Sequence, residues 1–168
     1  MARPPVSAPI LVTGGGGWIG GRVVVALRDA GHEVRALVHR ADVEGASERA
    51  RGDLRDPASL RLAARGARAV VHCAAALDPV ESEAEADAIN HRGTVALADA
   101  AEAAGCETFV FVSSQAAIGW ASDAGLVRED APCAPSTAYG RSKRAAEEAL
   151  LARRGAMRIV LLRPPTVY

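Results

Sequence analysis

The stretch Leu11–Val34, "LVTGGGGWIGGRVVVALRDAGHEV", holds four consecutive glycines, and its flanks decide what they are for. A flexible linker is flanked by polar, structureless sequence. Here Pro9-Ile10-Leu11-Val12 is a short apolar run of the kind that makes a fully buried strand. From Trp18 the apolar residues change period: Trp18, Ile19, Val23, Val24, Ala26, Leu27 and Ala30 recur at helical spacing, and Gly31 supplies a stop. His32–Val38 then reads as a second strand. The glycines therefore sit at the strand-to-helix junction of a βαβ unit.

Their spacing selects Gly14, Gly17 and Gly20, a G-x-x-G-x-x-G pattern. Gly14 permits the tight turn out of the strand. Gly17 lets a diphosphate approach the backbone at the helix N-terminus, and Gly20 allows the helix to pack closely on the strand. Gly15 and Gly16 are spare in this reading. Without its context such a triplet is a structural turn; between a strand and a helix it predicts dinucleotide binding.

The chain has 168 residues, enough for one domain with a sizeable core. Hydrophobic residues make up 49% of it, Ala dominating and aromatics scarce, which suits close packing of helices on a sheet. The formal net charge is zero and no basic cluster stands out, which argues against nucleic acid or an anionic membrane surface as partner. No apolar run approaches the roughly 20 residues that span a bilayer. The start, "MARPPVSAPI", carries prolines where a signal peptide needs a continuous apolar core, so the expected location is cytoplasmic. Cys73, Cys106 and Cys133 are odd in number without C-x-x-C spacing, so neither a disulfide framework nor a metal site is expected. Cys73 and Cys106 read as small buried hydrophobes.

Further along, "ADVEGASERA" is polar and small and reads as an exposed connection, followed by a poor strand at Ala50-Arg51-Gly52 placed only by its position. "DPASLRLAARG" starts a helix with Asp56 as cap and Pro57 at the first helical position, and ends it at Gly66. Residues 67–74 read as a strand, 82–104 as one long Ala-rich helix closed by Gly105, and 107–114 as a strand. A Pro- and Gly-punctuated loop follows, then a helix over 136–153 and a last strand over 157–163. Apolar strands alternating with helices predict an α/β fold: a doubly wound, mostly parallel, Rossmann-type sheet of six strands with helices on both faces. Residues 1–8 read as an N-terminal extension and 9–168 as the folded domain.

"STAYGRSKRAAEEALL" places Tyr139 and Lys143 four residues apart, on one face of a helix. A free Tyr hydroxyl titrates near pH ~10, and a neighbouring ammonium favours the phenolate, bringing Tyr139 into the range of a general acid or base. The pair alone reads better as an ordinary amphipathic helix with Tyr139 on its buried face and Lys143 in solvent. It is joined by Ser113 and Ser114 at the carboxyl end of a parallel strand, where functional groups of such sheets collect.

Together these pieces resemble the extended short-chain dehydrogenase/reductase family, the NAD-dependent epimerase/dehydratase group. The resemblance runs from residue 9 to 168 through seven motifs in order: "TGGGGWIGG", "GDLRD", "VVHCAAAL", "NHRGTVALADAA", "SSQAAIGW", "YGRSK" and "LLRPPTVY". It implies catalytic roles for Ser114, Tyr139 and Lys143. Tyr139 transfers the proton; Lys143 lowers its pKa and holds the nicotinamide ribose. It implies a cofactor site formed by Gly14, Gly17, Trp18, Ile19, Gly20, Arg40, Asp53, Leu54, Ala74, Ala75, Ala76 and Pro165 with Tyr139 and Lys143. Asn90 corresponds to a position that supports the site structurally. The partner implied is a small-molecule substrate, with a possible homodimer through the two long helices.

Preference for NAD usually rests on an Asp or Glu at the end of the second strand, accepting from the ribose hydroxyls. Here that position reads Val38-His39-Arg40, without an acid. An Arg can pair with a 2′-phosphate, so NADP is expected over NAD; the alternative is Arg40 as a solvated charge with NAD accepted.

Two departures from the family stand out. Ile118 takes a place where Tyr is frequent, and Trp120 follows Gly119 beside the substrate pocket. Family members also continue with a smaller domain that covers the substrate, and nothing in this chain reads as that domain. The expectation is an oxidoreductase, epimerase or dehydratase acting on a hydroxyl or carbonyl substrate. The alternatives are a non-catalytic NAD(P) sensor and an inactive, truncated fragment.

Overall fold

The structure is a computed structural model that describes residues 8–40, 42–77, 82–119, 128–165 and 167. Six strands, β1 (Ile10–Thr13), β2 (Val34–Val38), β3 (Glu48–Arg51), β4 (Ala69–His72), β5 (Thr108–Val112) and β6 (Arg158–Leu162), form one sheet in the order β3-β2-β1-β4-β5-β6. Every adjacent pair is parallel. The order reverses between β1 and β4, leaving a crevice at the carboxyl ends of those two strands.

Helix α1 (Trp18–Asp29) follows β1, and α2 (Pro57–Ala64) follows β3. Asp56 caps α2 by accepting from the Ala58 N–H, with Pro57 in the first turn, as the sequence predicts. After β4 come α3 (Glu83–Ala86), a π-helical stretch Asp87–Arg92 and α4 (Gly93–Ala103). A 3-10 turn (Gln115–Ala117) follows β5, and α5 (Ala138–Leu151) precedes β6. Thr137 caps α5, its Oγ1 accepting from the Gly140 N–H at 2.9 Å, so the helix starts two residues later than its pattern suggests.

The larger core lies on the face covered by α2, α4 and α5, around Leu60, Leu97, Phe109, Phe111 and Leu150. Phe109 and Phe111, two residues apart on β5, share that face and are fully buried. Burying each such side chain contributes about 1.5–3 kcal/mol. The smaller core, around Ile10, Val12, Val24, Val34 and Ala36, lies beneath α1. Beside it, Trp18, Val71, Val112, Leu162 and Val167 line an apolar groove on the same side of the sheet. Arg153 pins the end of α5 to α4 through ion pairs with Asp99 and Glu102.

Four expectations are corrected. The strand placed at 50–52 is Glu48–Arg51; it is an edge strand held by its ladder to β2 and the Arg35–Glu48 ion pair, so it carries no apolar signature. The connection before it is not simply exposed, because Val43 and Ala46 are buried against Val24. The helix expected over 82–104 is interrupted by the π-helical stretch. Cys106 is buried, but Cys73 is only half-buried, since β4 ends at His72 and leaves it in the crevice. Most of the N-terminal extension, with Ala41, Trp120 and Tyr168, lies outside the described residues.

Candidate functional site

The glycine turn leaves β1 through Gly14, at φ +69, where a Cβ would stand 2.6 Å from the Ala74 backbone nitrogen. The Gly17 N–H closes the turn onto the Gly14 carbonyl at 2.9 Å. A Cβ on Gly20 would collide with that same carbonyl, so Gly20 is small for the turn rather than for the strand. Gly15 is not spare: a Cβ there would lie 2.8 Å from Val43 Cγ1. Gly17 caps α1 without a side-chain acceptor, which leaves the leading N–H groups of the helix for an anion.

Two cavities meet at this turn, sharing Gly14, Gly17, Ala74 and Ala75. The first, about 450 Å³, runs over the ends of β2 and β3 and takes in Arg40, Asp53, Leu54 and Ala76. The second, about 530 Å³, runs toward β5 and β6 and takes in Trp18, Ile19, Gly20, Ser114, Tyr139, Lys143 and Pro165. Every site residue expected from the sequence lines one cavity or the other. His39, Arg55 and Ile89 in the first, and Cys73, Leu77 and Pro164 in the second, are additional lining residues.

In the first cavity Asp53 accepts from Arg55 Nε at 3.1 Å and NH2 at 2.7 Å, with His39 Nε2 at 3.2 Å. The hydrogen bonds from Arg55 hold the Asp53 carboxyl down to about 2, against its partial burial. Arg55 is thereby neutralised. Arg40, exposed on the rim, pairs with no carboxylate among the described residues.

In the second cavity the two serines differ. Ser113 is buried, whereas Ser114 is half-exposed, its Oγ accepting from the Ala116 N–H at 3.1 Å and keeping its own hydrogen to donate. Lys143 is almost fully buried, not in solvent; its Nζ donates to the Val112 carbonyl at 2.7 Å and lies 4.1 Å from the centre of the Phe111 ring. Burial pushes Lys143 down to about 7, against upward pulls from Cys73 and Glu147. Burial pushes the Cys73 thiol up to about 11, which keeps it protonated and unreactive at neutral pH.

A family model described as the NAD dependent epimerase/dehydratase family matches residues 10–168. The chain belongs to this family. A UDP-glucose 4-epimerase of Streptomyces lividans is 36% identical over 153 residues, covering 84% of this chain and 46% of the relative. A short-chain dehydrogenase/reductase superfamily protein from Agrobacterium tumefaciens, solved with bound NAD, is 38% identical with a TM-score of 0.84, covering 92% of this chain and 48% of that one. The Bordetella bronchiseptica enzyme WbmG, solved with NAD and UDP, is 29% identical with a TM-score of 0.78, covering 92% and 52%. The chain spans about half the length of the curated relatives it matches.

Within this epimerase/dehydratase-family fold, one buried chain of hydrogen bonds ties the glycine turn to the helices behind it. His72, fully buried, has Nδ1 2.6 Å from Thr13 Oγ1 and Nε2 2.9 Å from Thr94 Oγ1. Thr94 donates to the Asn90 carbonyl at 2.6 Å, so it accepts from His72, and Nδ1 of His72 must accept from Thr13. Thr13 in turn accepts from the Ala74 N–H at 3.2 Å. Only neutral His72 with its proton on Nε2 satisfies every member, and burial accordingly pushes its pKa down to about 3. Asn90 takes both polar groups of Ala76, at 2.7 and 2.9 Å, and donates to Ser142 Oγ at 3.1 Å. Asn90 thus links the cavity wall to the helix bearing Tyr139, in keeping with the supporting place expected of it. His72 and Thr94 were legible only as parts of motifs; their pairing is a tertiary fact.

Among the described residues no helix is long and apolar enough to cross a membrane, and no group of three or more His, Cys, Asp or Glu side chains is placed to hold a metal ion.

Proposed function

We propose that residues 9–168 form the dinucleotide-binding unit of an NAD(P)-dependent oxidoreductase, epimerase or dehydratase acting on a hydroxyl or carbonyl substrate. The observation that carries this reading is the meeting of two cavities at one side-chain-free turn, with Ser114, Tyr139 and Lys143 in the second. The residues present fit a dinucleotide: the turn offers uncapped helix amides to a diphosphate, and Ala74, Ala75 and Ala76 leave room beside it. NAD bound to the solved relatives supports the same reading.

When bound, the nicotinamide supplies the hydride acceptor or donor. The chain's own residues handle the oxygen. Tyr139 takes the proton of a substrate hydroxyl as the carbon gives up its hydride, and returns it in the reverse direction. Ser114 donates its hydroxyl hydrogen to the same oxygen. Lys143, one helical turn from Tyr139, favours the phenolate when charged. Both serines line the second cavity, and Ser114 is the more exposed of the two, which supports it as the donor.

In the first cavity Arg40, which pairs with no carboxylate among the described residues, and the absence of an acid at the end of β2 in the sequence favour a cofactor with a 2′-phosphate. We place dimerisation, if the chain pairs with itself, on α4 and α5.

The test is turnover on a panel of alcohols, ketones and nucleotide sugars, with Tyr139→Phe as the probe. Loss of turnover with cofactor affinity kept is the expected result. Undiminished turnover in the variant overturns the role of Tyr139, and cofactor binding without turnover on any substrate favours a sensor.

A further inference from the structure

Tyr139, Lys143 and Glu147 follow one another at four-residue intervals along α5. The first two line the second cavity; the third is a carboxylate with no exposure at all, and nothing in the function proposed above uses it. An acid is not left in such a place without partners. Glu147 accepts from Arg163 Nε at 2.9 Å and from Arg163 NH2 at 2.7 Å, with Arg144 NH1 at 3.5 Å. The Ser113 hydroxyl lies beside it without the alignment of a full hydrogen bond. Burial works to raise the carboxyl's pKa, but the hydrogen bonds and charge of Arg163, with the charge of Arg144, outweigh it, and Glu147 is an anion.

Arg163 is the residue immediately after β6, and its neighbours carry the consequence. The Leu162 carbonyl accepts from the Ser113 N–H at 2.7 Å, and the Pro164 carbonyl accepts from the Gln115 N–H at 3.0 Å. The carbonyls on either side of Arg163 are thus bonded to the amides on either side of Ser114. The remaining Arg163 nitrogen, NH1, donates to the Glu129 carbonyl at 3.0 Å in the segment leading to α5. One guanidinium therefore joins α5, the end of β6 and the chain that precedes α5.

We propose that Glu147 is a positioning residue of this site: by gripping Arg163 at two points it fixes the Pro164–Pro165 segment against Ser114 across the second cavity. What the cavity holds rests on the dinucleotide reading; the grip itself does not.

The same carboxylate also bears on Lys143. The groups acting on that ammonium are His72 and Cys73 at the end of β4, the Val112 carbonyl and the Phe111 ring on β5, and Glu147 on α5. His72 and Cys73 are neutral at pH 7, so Glu147 is the anion among them. Removing its charge moves the Lys143 titration to lower pH.

The experiment compares the parent with Glu147→Gln and Glu147→Asp by three readouts: amide hydrogen exchange, an NMR titration of the Lys143 Cε and Nζ signals, and NADH affinity. In Glu147→Gln the Ser113 and Gln115 amides should exchange at least about tenfold faster, while the Glu107 amide at the far end of β5 stays as in the parent. The Lys143 midpoint should fall, and NADH should bind about fivefold or more weakly. Glu147→Asp keeps the charge with a shorter reach, so the Lys143 midpoint should hold while the two amides still loosen. Uniform loosening of the whole sheet, or parent-like exchange at Ser113 and Gln115, overturns the proposal. Should Glu147→Gln fail to fold because Arg163 is stranded, the double variant Glu147→Gln/Arg163→Gln removes both charges and is read the same way. Should the parent bind neither NADPH nor NADH, the dinucleotide reading fails alone, and the exchange and titration still decide the grip.

Discussion

His72 Nδ1 lies 2.6 Å from Thr13 Oγ1, and this contact joins the strand that feeds the glycine turn to the strand whose end forms the opposite wall of the crevice. It requires a neutral imidazole, because a charged one would put a hydrogen where Thr13 already donates.

Acid should therefore act on this histidine early. Its folded pKa, about 3, is below its ordinary 6.5, so the unfolded chain binds the proton first. The associated stability is intact above pH 6.5 and is lost as the pH falls from 6.5 toward 3, at up to about 1.4 kcal/mol per unit. Urea unfolding at pH 7, 6 and 5 should show this slope, and His72→Gln should flatten it even while lowering stability at pH 7. An unchanged slope in the variant would place the acid sensitivity elsewhere.

Lys143 acts with the same sign at higher pH. Its pKa falls from 10.5 unfolded to about 7 folded, so the unfolded state holds the extra proton between those values and stability rises with pH from 7 upward. Cys73, raised from 9 to about 11, opposes this above pH 9, which makes pH 7 to 9 the clean window. The parent should gain stability across it and Lys143→Met should not. A parallel rise in the variant would contradict the burial of the ammonium.

Gly20→Ala drives a methyl group into the Gly14 carbonyl, a backbone atom that cannot step aside. It should cost about 1–3 kcal/mol and abolish dinucleotide binding. Gly21→Ala, whose Cβ meets the Gly15 carbonyl at 3.3 Å, is the milder control. Equal effects of the two on melting temperature and cofactor affinity would remove the steric reason for Gly20.

Arg40→Ala should weaken NADPH binding by about tenfold or more, the worth of a charge-assisted contact, and leave NADH binding nearly unchanged. Equal affinities of the parent for the two cofactors would make Arg40 a solvated charge.

Much of this was legible in the residues themselves. The change of apolar period at Trp18 marks the strand-to-helix junction, and Asp56-Pro57 marks the start of α2, because local backbone chemistry fixes both. Four-residue spacing is enough to put Tyr139 and Lys143 on one helix face. It does not say that the face is buried, which depends on β5 lying beneath it. β3 was misplaced for a related reason: an edge strand of Glu, Arg and Ala is held by its neighbour's ladder, not by its own pattern. Glu147 does carry a signal in the sequence, an acid two turns beyond Tyr139 on the same helix. Its partner Arg163 stands 16 residues away, and only the fold brings them together.

The most direct measurement is a fluorescence titration of the purified, folded chain with NADPH and with NADH. Saturable binding, tighter for NADPH and lost in Gly20→Ala, is the predicted result. A folded chain that binds neither cofactor would contradict the assignment of the glycine turn and its two cavities to a dinucleotide.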